Sequence, residues 1–156
     1  MSEAHAYEPG EVILRRARPD DITAVANLGI EAMRADPYPR MKISVDRVRA
    51  VARDVISGSG NFCCVAEVDG QVVAAVSALI HDCLFYEGKQ ASVVQFYTRM
   101  PGVGAPLIRA FLKWARGRSA IKSIVFTLEV RADPRIGKLL ARMGLREELP
   151  VFMEIR

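Results

Sequence analysis

The sequence predicts a single mixed α/β domain whose mostly antiparallel sheet is flanked by helices, in the order β-α-α-β-β-β-α-β-α-β. Three observations predict it. Amphipathic segments of helical period alternate with short apolar runs of strand length. An Asp-Gly pair, Asp69-Gly70, sits between two such runs and marks an antiparallel hairpin. In the second half, strands and helices alternate strictly, as in parallel crossover units. The chain of 156 residues is 51% hydrophobic and 26% charged, one domain's worth with ample material for a core.

Residues 1–10 read as a flexible lead-in closed by Pro9-Gly10, and residues 11–156 as the domain. "EVILRRA" (11–17) reads as the first strand. "PDDITAVANLGIEAMRAD" reads as a helix, with Pro19 and two aspartates where the macrodipole favours acids. "SVDRVRAVARDVIS" (44–57) reads as a second helix capped by Ser44, with Val45, Val48, Val51, Ala52 and Val55 on its inner side. "NFCCVAEVD" and "QVVAAVSALI" flank the hairpin turn. A turn at Glu87-Gly88 leads into the strand "ASVVQFYT".

"VGAPLIRAFLKWARGRS" then reads as a helix, with Pro106 in its first turn and Leu107, Ile108, Phe111, Leu112 and Ala115 inward. "IKSIVFTLEV" (121–130) reads as a strand. "DPRIGKLLARMG" reads as a short helix with Asp133 as N-cap, Pro134 first and Gly144 at its end. "LREELPVFMEIR" closes the chain as one or two strands.

Composition narrows the function. The net charge of +4 suits an anionic ligand, and without an aromatic-basic surface motif it argues against nucleic acid. No apolar run reaches the ~18 residues of a membrane span. The N-terminal "MSEAHAYEPGE" lacks the regions of a signal peptide, so a cytoplasmic location is expected. Three cysteines make no disulfide framework. Cys63 and Cys64 are neighbours on a strand and point to opposite faces, as reduced, partly buried thiols. A metal site built from His81 and Cys83 would lack ordinary ligand spacing, and none is expected.

The informative stretch is "RMPGVGAPLIRAF" (99–111), where a strand passes through a glycine turn straight into a helix. A P-loop would need Lys-Ser or Lys-Thr after the glycines, and a dinucleotide fingerprint a third glycine; neither is present. What fits is R-x-x-G-x-G, from Arg99, Gly102 and Gly104. In this motif, and in its order of elements, the chain resembles the GNAT acyltransferase superfamily, whose diphosphate-binding motif lies between the fourth strand and the third helix. "DPRIGKLLARMGL" (133–145) is similar to the family's next signature through Leu139, Gly144 and the spacing.

The resemblance implies that acetyl-coenzyme A is the acyl donor. Its diphosphate would meet backbone N–H groups between Arg99 and Gly104, backed by the helix macrodipole. Arg99, Met100, Gly102, Val103, Gly104 and Ala105 are therefore the expected coenzyme residues, with Asp133 at the head of the last helix. The resemblance also implies that the fourth and fifth strands splay and that Val94 to Tyr97, Phe96 included, line the thioester arm. The acceptor would be a primary amine on a small molecule or a protein, and a homodimer is compatible with the family.

The chain departs from the family at its acid. The tyrosine that commonly protonates the departing thiolate is replaced by Leu140. The alanine and phenylalanine of the same signature become Ile136 and Leu145, and the fourth strand offers Gln95 where relatives carry a glutamate. From chemistry alone, Tyr97 is the candidate acid and Glu129 the candidate base. His81, Asp82, Tyr86 and Glu87 read as a solvated turn. The stripes Arg109/Lys113/Arg116 and Arg135/Lys138/Arg142 read as solvated helix faces. Two functions remain: an N-acetyltransferase, or a weak or inactive domain of this fold serving as a binding or structural module.

Overall fold

A computed structural model of the chain describes residues 10–35, 41–128 and 133–147. The strands are β1 (Ile13–Arg16), β2 (Phe62–Val68), β3 (Gln71–Asp82), β4 (Lys89–Thr98) and β5 (Ile121–Phe126). The helices are α1 (Ile22–Ala35), α2 (Val45–Ser57), α3 (Gly104–Arg116) and α4 (Pro134–Arg142). The sheet runs β1-β2-β3-β4-β5, antiparallel except for the parallel β4–β5 pair. This is the predicted mixed α/β class. The closing strand expected within 145–156 falls largely outside the described residues, as does most of the lead-in.

The central strands are apolar on both faces because both are covered by helices, which is why they read as near-continuous runs rather than alternating ones. Phe62, Cys64, Ala66, Val76 and Ala78 pack with α3 and α4, through Leu107, Ile108, Phe111 and Leu140. Cys63, Val65 and Ala75 pack on the other face with Val25, Leu28, Ala52 and Val55 of α1 and α2. The two cysteines thus point to opposite faces as expected, and both are buried, Cys63 almost completely. Burial pushes the Cys63 thiol up to about 11 and raises that of Cys64, so neither is a thiolate near neutrality.

Local chemistry sets the element ends. Asp69 and Gly70 take φ of 51° and 76°, the left-handed pair that a two-residue hairpin needs. Ser44 caps α2, accepting a hydrogen bond from the Arg47 N–H at 3.4 Å. Asp133 caps α4, accepting from the Arg135 N–H at 2.9 Å. β4 begins at Lys89, two residues before the expected "ASVVQFYT", because Asp82 and Lys89 pair in the ladder and by an ion pair of 2.6 Å. β5 stops at Phe126, short of the 130 expected; Thr127 and Leu128 leave the ladder. Among the described residues no helix is long and apolar enough to cross a membrane.

One buried carboxylate ties the first elements together. Asp21, in a short 3-10 turn before α1, accepts two hydrogen bonds from the Arg15 guanidinium, at 2.7 and 3.0 Å, and one from the Arg18 N–H at 2.7 Å. Arg15 also reaches Glu67 at 2.8 Å. These contacts, with the Arg15 bond foremost, hold the Asp21 carboxyl below its ordinary range. A depressed carboxylate stabilises the fold fully above its unfolded value of ~3.9, and that stability is lost as pH falls through the lower folded value. Asp21→Asn is therefore expected to cost on the order of 2 kcal/mol at pH 7. Its urea midpoint should converge on that of the unaltered protein below about pH 4. A constant gap down to pH 3 would show that the charge of Asp21 contributes nothing.

Candidate functional site

The site opens where β4 leaves β5. The parallel ladder runs from Lys89↔Ile121 to Val93↔Phe126 and, among the described residues, goes no further. β4 continues to Thr98, paired among the described residues with β3. Its register there steps from Ser77↔Gln95 to Ala78↔Val93, so Val94 is an extra residue in a β-bulge. The bulge and the loss of the partner strand leave an open edge of backbone amides. Over it lies a cleft of about 740 Å³. Val94, Phe96, Phe126, Leu128 and Ile136 line it on one side. Gly29, Met33, Arg47, Val48 and Val51 line it from α1 and α2.

At the end of β4 the chain turns into α3. The Arg99 N–H is bonded to Val73 O at 2.9 Å, and the Met100 N–H to Thr98 Oγ1 at 3.0 Å. Pro101 has no N–H. The next four N–H groups, of Gly102, Val103, Gly104 and Ala105, have no partner among the described residues. Val103, the N-cap, supplies no side-chain bond. An N-terminus left without a cap is a ready anion site, because unpaired donors and the positive end of the macrodipole coincide there.

The two glycines do different work. Gly102 has φ +83°, and a Cβ there would enter open space. Its role is conformational, and it leaves the turn bare. At Gly104 a Cβ would stand 2.9 Å from Phe96 Cζ, so its role is close packing of α3 on β4. An anion approaching the turn meets backbone donors and no side chain at Gly102. A diphosphate fits this chemistry.

Of the N–H groups expected to face a ligand, those of residues 102–105 are the ones left unpartnered among the described residues. Neither the Arg99 nor the Met100 N–H is available, and the Arg99 side chain is held by Glu31 through two hydrogen bonds, one of 2.9 Å. That pair ties the end of β4 to α1. Asp133 lines the cleft, but its carboxylate is held by Arg135 at 2.7 Å as well as capping α4. Tyr97 lines the cleft and packs toward α1 and α2, opposite to Phe96. Glu129 lies outside the described residues.

Leu140, at the position of the usual tyrosine, is 6% exposed and packed in the core with α3. It does not line the cleft. His81 sits away from the cleft, with Nε2 at 2.9 Å from Ser92 Oγ. Tyr86 is exposed at a turn tip. In the basic stripes, Arg116 donates to Met143 O at 2.5 Å and joins α3 to α4.

The helical pattern of α2 misplaced two of its valines. Val45 and Val51, read as facing inward, are exposed, while Ala52 and Val55, flanked by Val48 and Ile56, make the contact with the sheet. Val51 and Arg47 line the cleft instead. The signal was an apolar stripe wider than one buried face needs. Gln95 was read as a missing glutamate. Its Nε2 donates to Val25 O at 3.0 Å, fixing the amide against α1 within the cleft.

Comparison with solved structures identifies the fold. A predicted acetyltransferase from Clostridium acetobutylicum, solved with acetyl-CoA, superposes with a TM-score of 0.73 at 15% identity, over 94% of this chain and 96% of that one. Aminoglycoside N-acetyltransferase AAC(6')-Iy, in complex with CoA, gives 0.70 at 15% identity, over 94% and 95%. Ribosomal-protein-alanine N-acetyltransferase from Brucella melitensis biovar Abortus 2308 gives 0.66 at 19%, over 94% and 99%. No family model and no curated protein matches the sequence. The chain has the fold of the GNAT acetyltransferases.

Proposed function

We propose that this protein is an acyl-coenzyme A-dependent N-acyltransferase that moves an acetyl group to a primary amine of a small molecule or protein. The observation that carries this reading is the row of four unpartnered N–H groups, Gly102 to Ala105, at the uncapped N-terminus of α3 beside the open edge of β4. Structural neighbours solved with CoA and acetyl-CoA share the fold and support the same donor.

Acetyl-coenzyme A, when bound, would supply the thioester that the amine attacks, with coenzyme A leaving as the thiolate. The chain's own groups do the rest. The N–H groups of residues 102–105 bind the diphosphate. The free edge of β4 from Val94 to Tyr97 receives the amide-rich arm as an added strand. Phe96, Phe126 and Ile136 exclude water, which strengthens every polar contact within the cleft. An unpaired N–H of that edge polarises the carbonyl. Tyr97 Oη is the group on this wall able to give a proton to the departing thiolate, and Glu129 is the candidate base.

A second reading is a binding module of the same fold, favoured by the burial of Leu140 where relatives place their acid. One pair of measurements separates the two. Acetyl-coenzyme A and coenzyme A should each raise the melting temperature, since stabilisation follows RT ln(1 + [L]/Kd). Free thiol should then appear faster with an amine panel than without it. Losing one acid costs typically on the order of 10²–10⁴-fold, so slow release is still transfer. Binding without release on any acceptor would establish the module, and no binding would refute both the donor and the enzyme.

A further inference from the structure

We infer that the acceptor is an amine with an apolar body and a carboxylate, and that Arg47 recognises that carboxylate. This rests on the transferase reading above and names its substrate class. The donor side of the cleft and the wall built by α1 and α2 lie on opposite faces of the sheet, meeting where β4 and β5 part. An acceptor must therefore enter along α1 and α2. Among the described residues that wall includes Gly29, Ala32, Met33, Val48 and Val51, with one cation, Arg47. Met33 and Val51 keep about 40% of their surface exposed there, 39% and 41%, so apolar area is left for a ligand to cover.

Two carboxylates beside this wall are already committed. Glu31 is held by Arg99, and Asp133 by Arg135. The Arg47 guanidinium makes no hydrogen bond or ion pair among the described residues; only its backbone N–H is engaged, by Ser44. Asp46, its neighbour, does not line the cleft. A polycationic acceptor would meet an uncompensated cation and an apolar wall. An amine whose far end is a carboxylate would meet a fork of donors matched to it, at the first turn of α2, where the macrodipole also favours an anion.

The test uses matched acceptors at saturating acetyl-coenzyme A: hexylamine against 6-aminohexanoate, benzylamine against 4-(aminomethyl)benzoate, and spermidine as a polycation. At least one acid should exceed its carboxylate-free partner about 10- to 100-fold in kcat/KM, carried by KM, the range a charge-assisted bond supplies. Arg47→Ala should erase that gap, and Arg47→Glu should turn preference toward spermidine. Equal kcat/KM within both pairs, or a gap that survives Arg47→Ala, would overturn the inference while leaving the transferase intact. Should no amine release thiol, the transferase reading fails separately. Calorimetric titration of the coenzyme A-loaded protein with 6-acetamidohexanoate and N-hexylacetamide then decides: tighter binding of the acid, lost in Arg47→Ala, supports the inference, and equal binding refutes it.

Discussion

Gly102→Asp is expected to abolish stabilisation by coenzyme A while the unliganded protein stays folded. The position has φ +83° and open space where a Cβ would stand. Aspartate is among the residues that tolerate the left-handed region best, so the strain costs on the order of 1 kcal/mol. The new carboxylate stands over the N–H groups of residues 102–105, competing for the same donors and repelling a diphosphate. An affinity loss of about 100-fold or more is expected, equivalent to roughly 2.7 kcal/mol. At a ligand concentration near 100 times Kd the unaltered protein gains about that amount, and the variant gains almost none. Gly102→Ala is the control, carrying the backbone strain without the charge, and it should keep most of the ligand shift. Substitution at Gly104 is a poorer test, because a side chain there meets Phe96 and mixes packing with binding. A folded Gly102→Asp protein with an undiminished ligand shift would show that the anion binds elsewhere.

What could be read from the chain follows from which interactions are local. Helix ends were legible because their chemistry spans a few residues: Ser44 and Asp133 cap as expected, and Gly144 takes the left-handed φ of +94° after α4. The hairpin at Asp69-Gly70 was legible for the same reason. The glycine turn was legible as a motif, but not which of its N–H groups, from Arg99 to Ala105, are already bonded. Which N–H groups are free depends on long-range bonds, such as Arg99 N–H to Val73 O, that no local pattern reveals. The engagement of Arg99 with Glu31, 68 residues away, was illegible on the same ground. The α2 valines show the limit of periodicity. It states that a face is apolar, and whether a sheet or a ligand covers that face depends on how the helix is docked. Leu140 was legible as an absence. Its burial among α3 residues explains why a leucine serves there structurally, without saying which group moves the proton.

Phe111→Ala is expected to be the most destabilising single truncation in the chain, and to leave the coenzyme site working in whatever protein remains folded. Phe111 is the largest of the fully buried side chains among the described residues, at 0% exposure. Its ring lies 5.6 Å from that of Phe62 on β2 and 6.4 Å from that of Trp114 one turn on, and those two rings lie 4.7 Å from each other. The Arg16 guanidinium covers Phe62 from outside at 4.4 Å. The cluster is thus closed on its far side, and surrounding atoms can move only partly into the space a phenyl ring leaves. Truncations of this kind cost about 3–5 kcal/mol, a large share of the roughly 5–15 kcal/mol of an ordinary domain. The urea midpoint should fall accordingly, with an unchanged slope. The anion turn begins seven residues earlier on α3, roughly 10 Å along the helix, and is set by Gly102, Gly104 and Phe96 rather than by the ring cluster. Independent sites add, so the melting-temperature increment from coenzyme A should match that of the unaltered protein. A vanished increment in folded Phe111→Ala would show instead that the docking of α3 through this ring determines how its N-terminus meets the ligand.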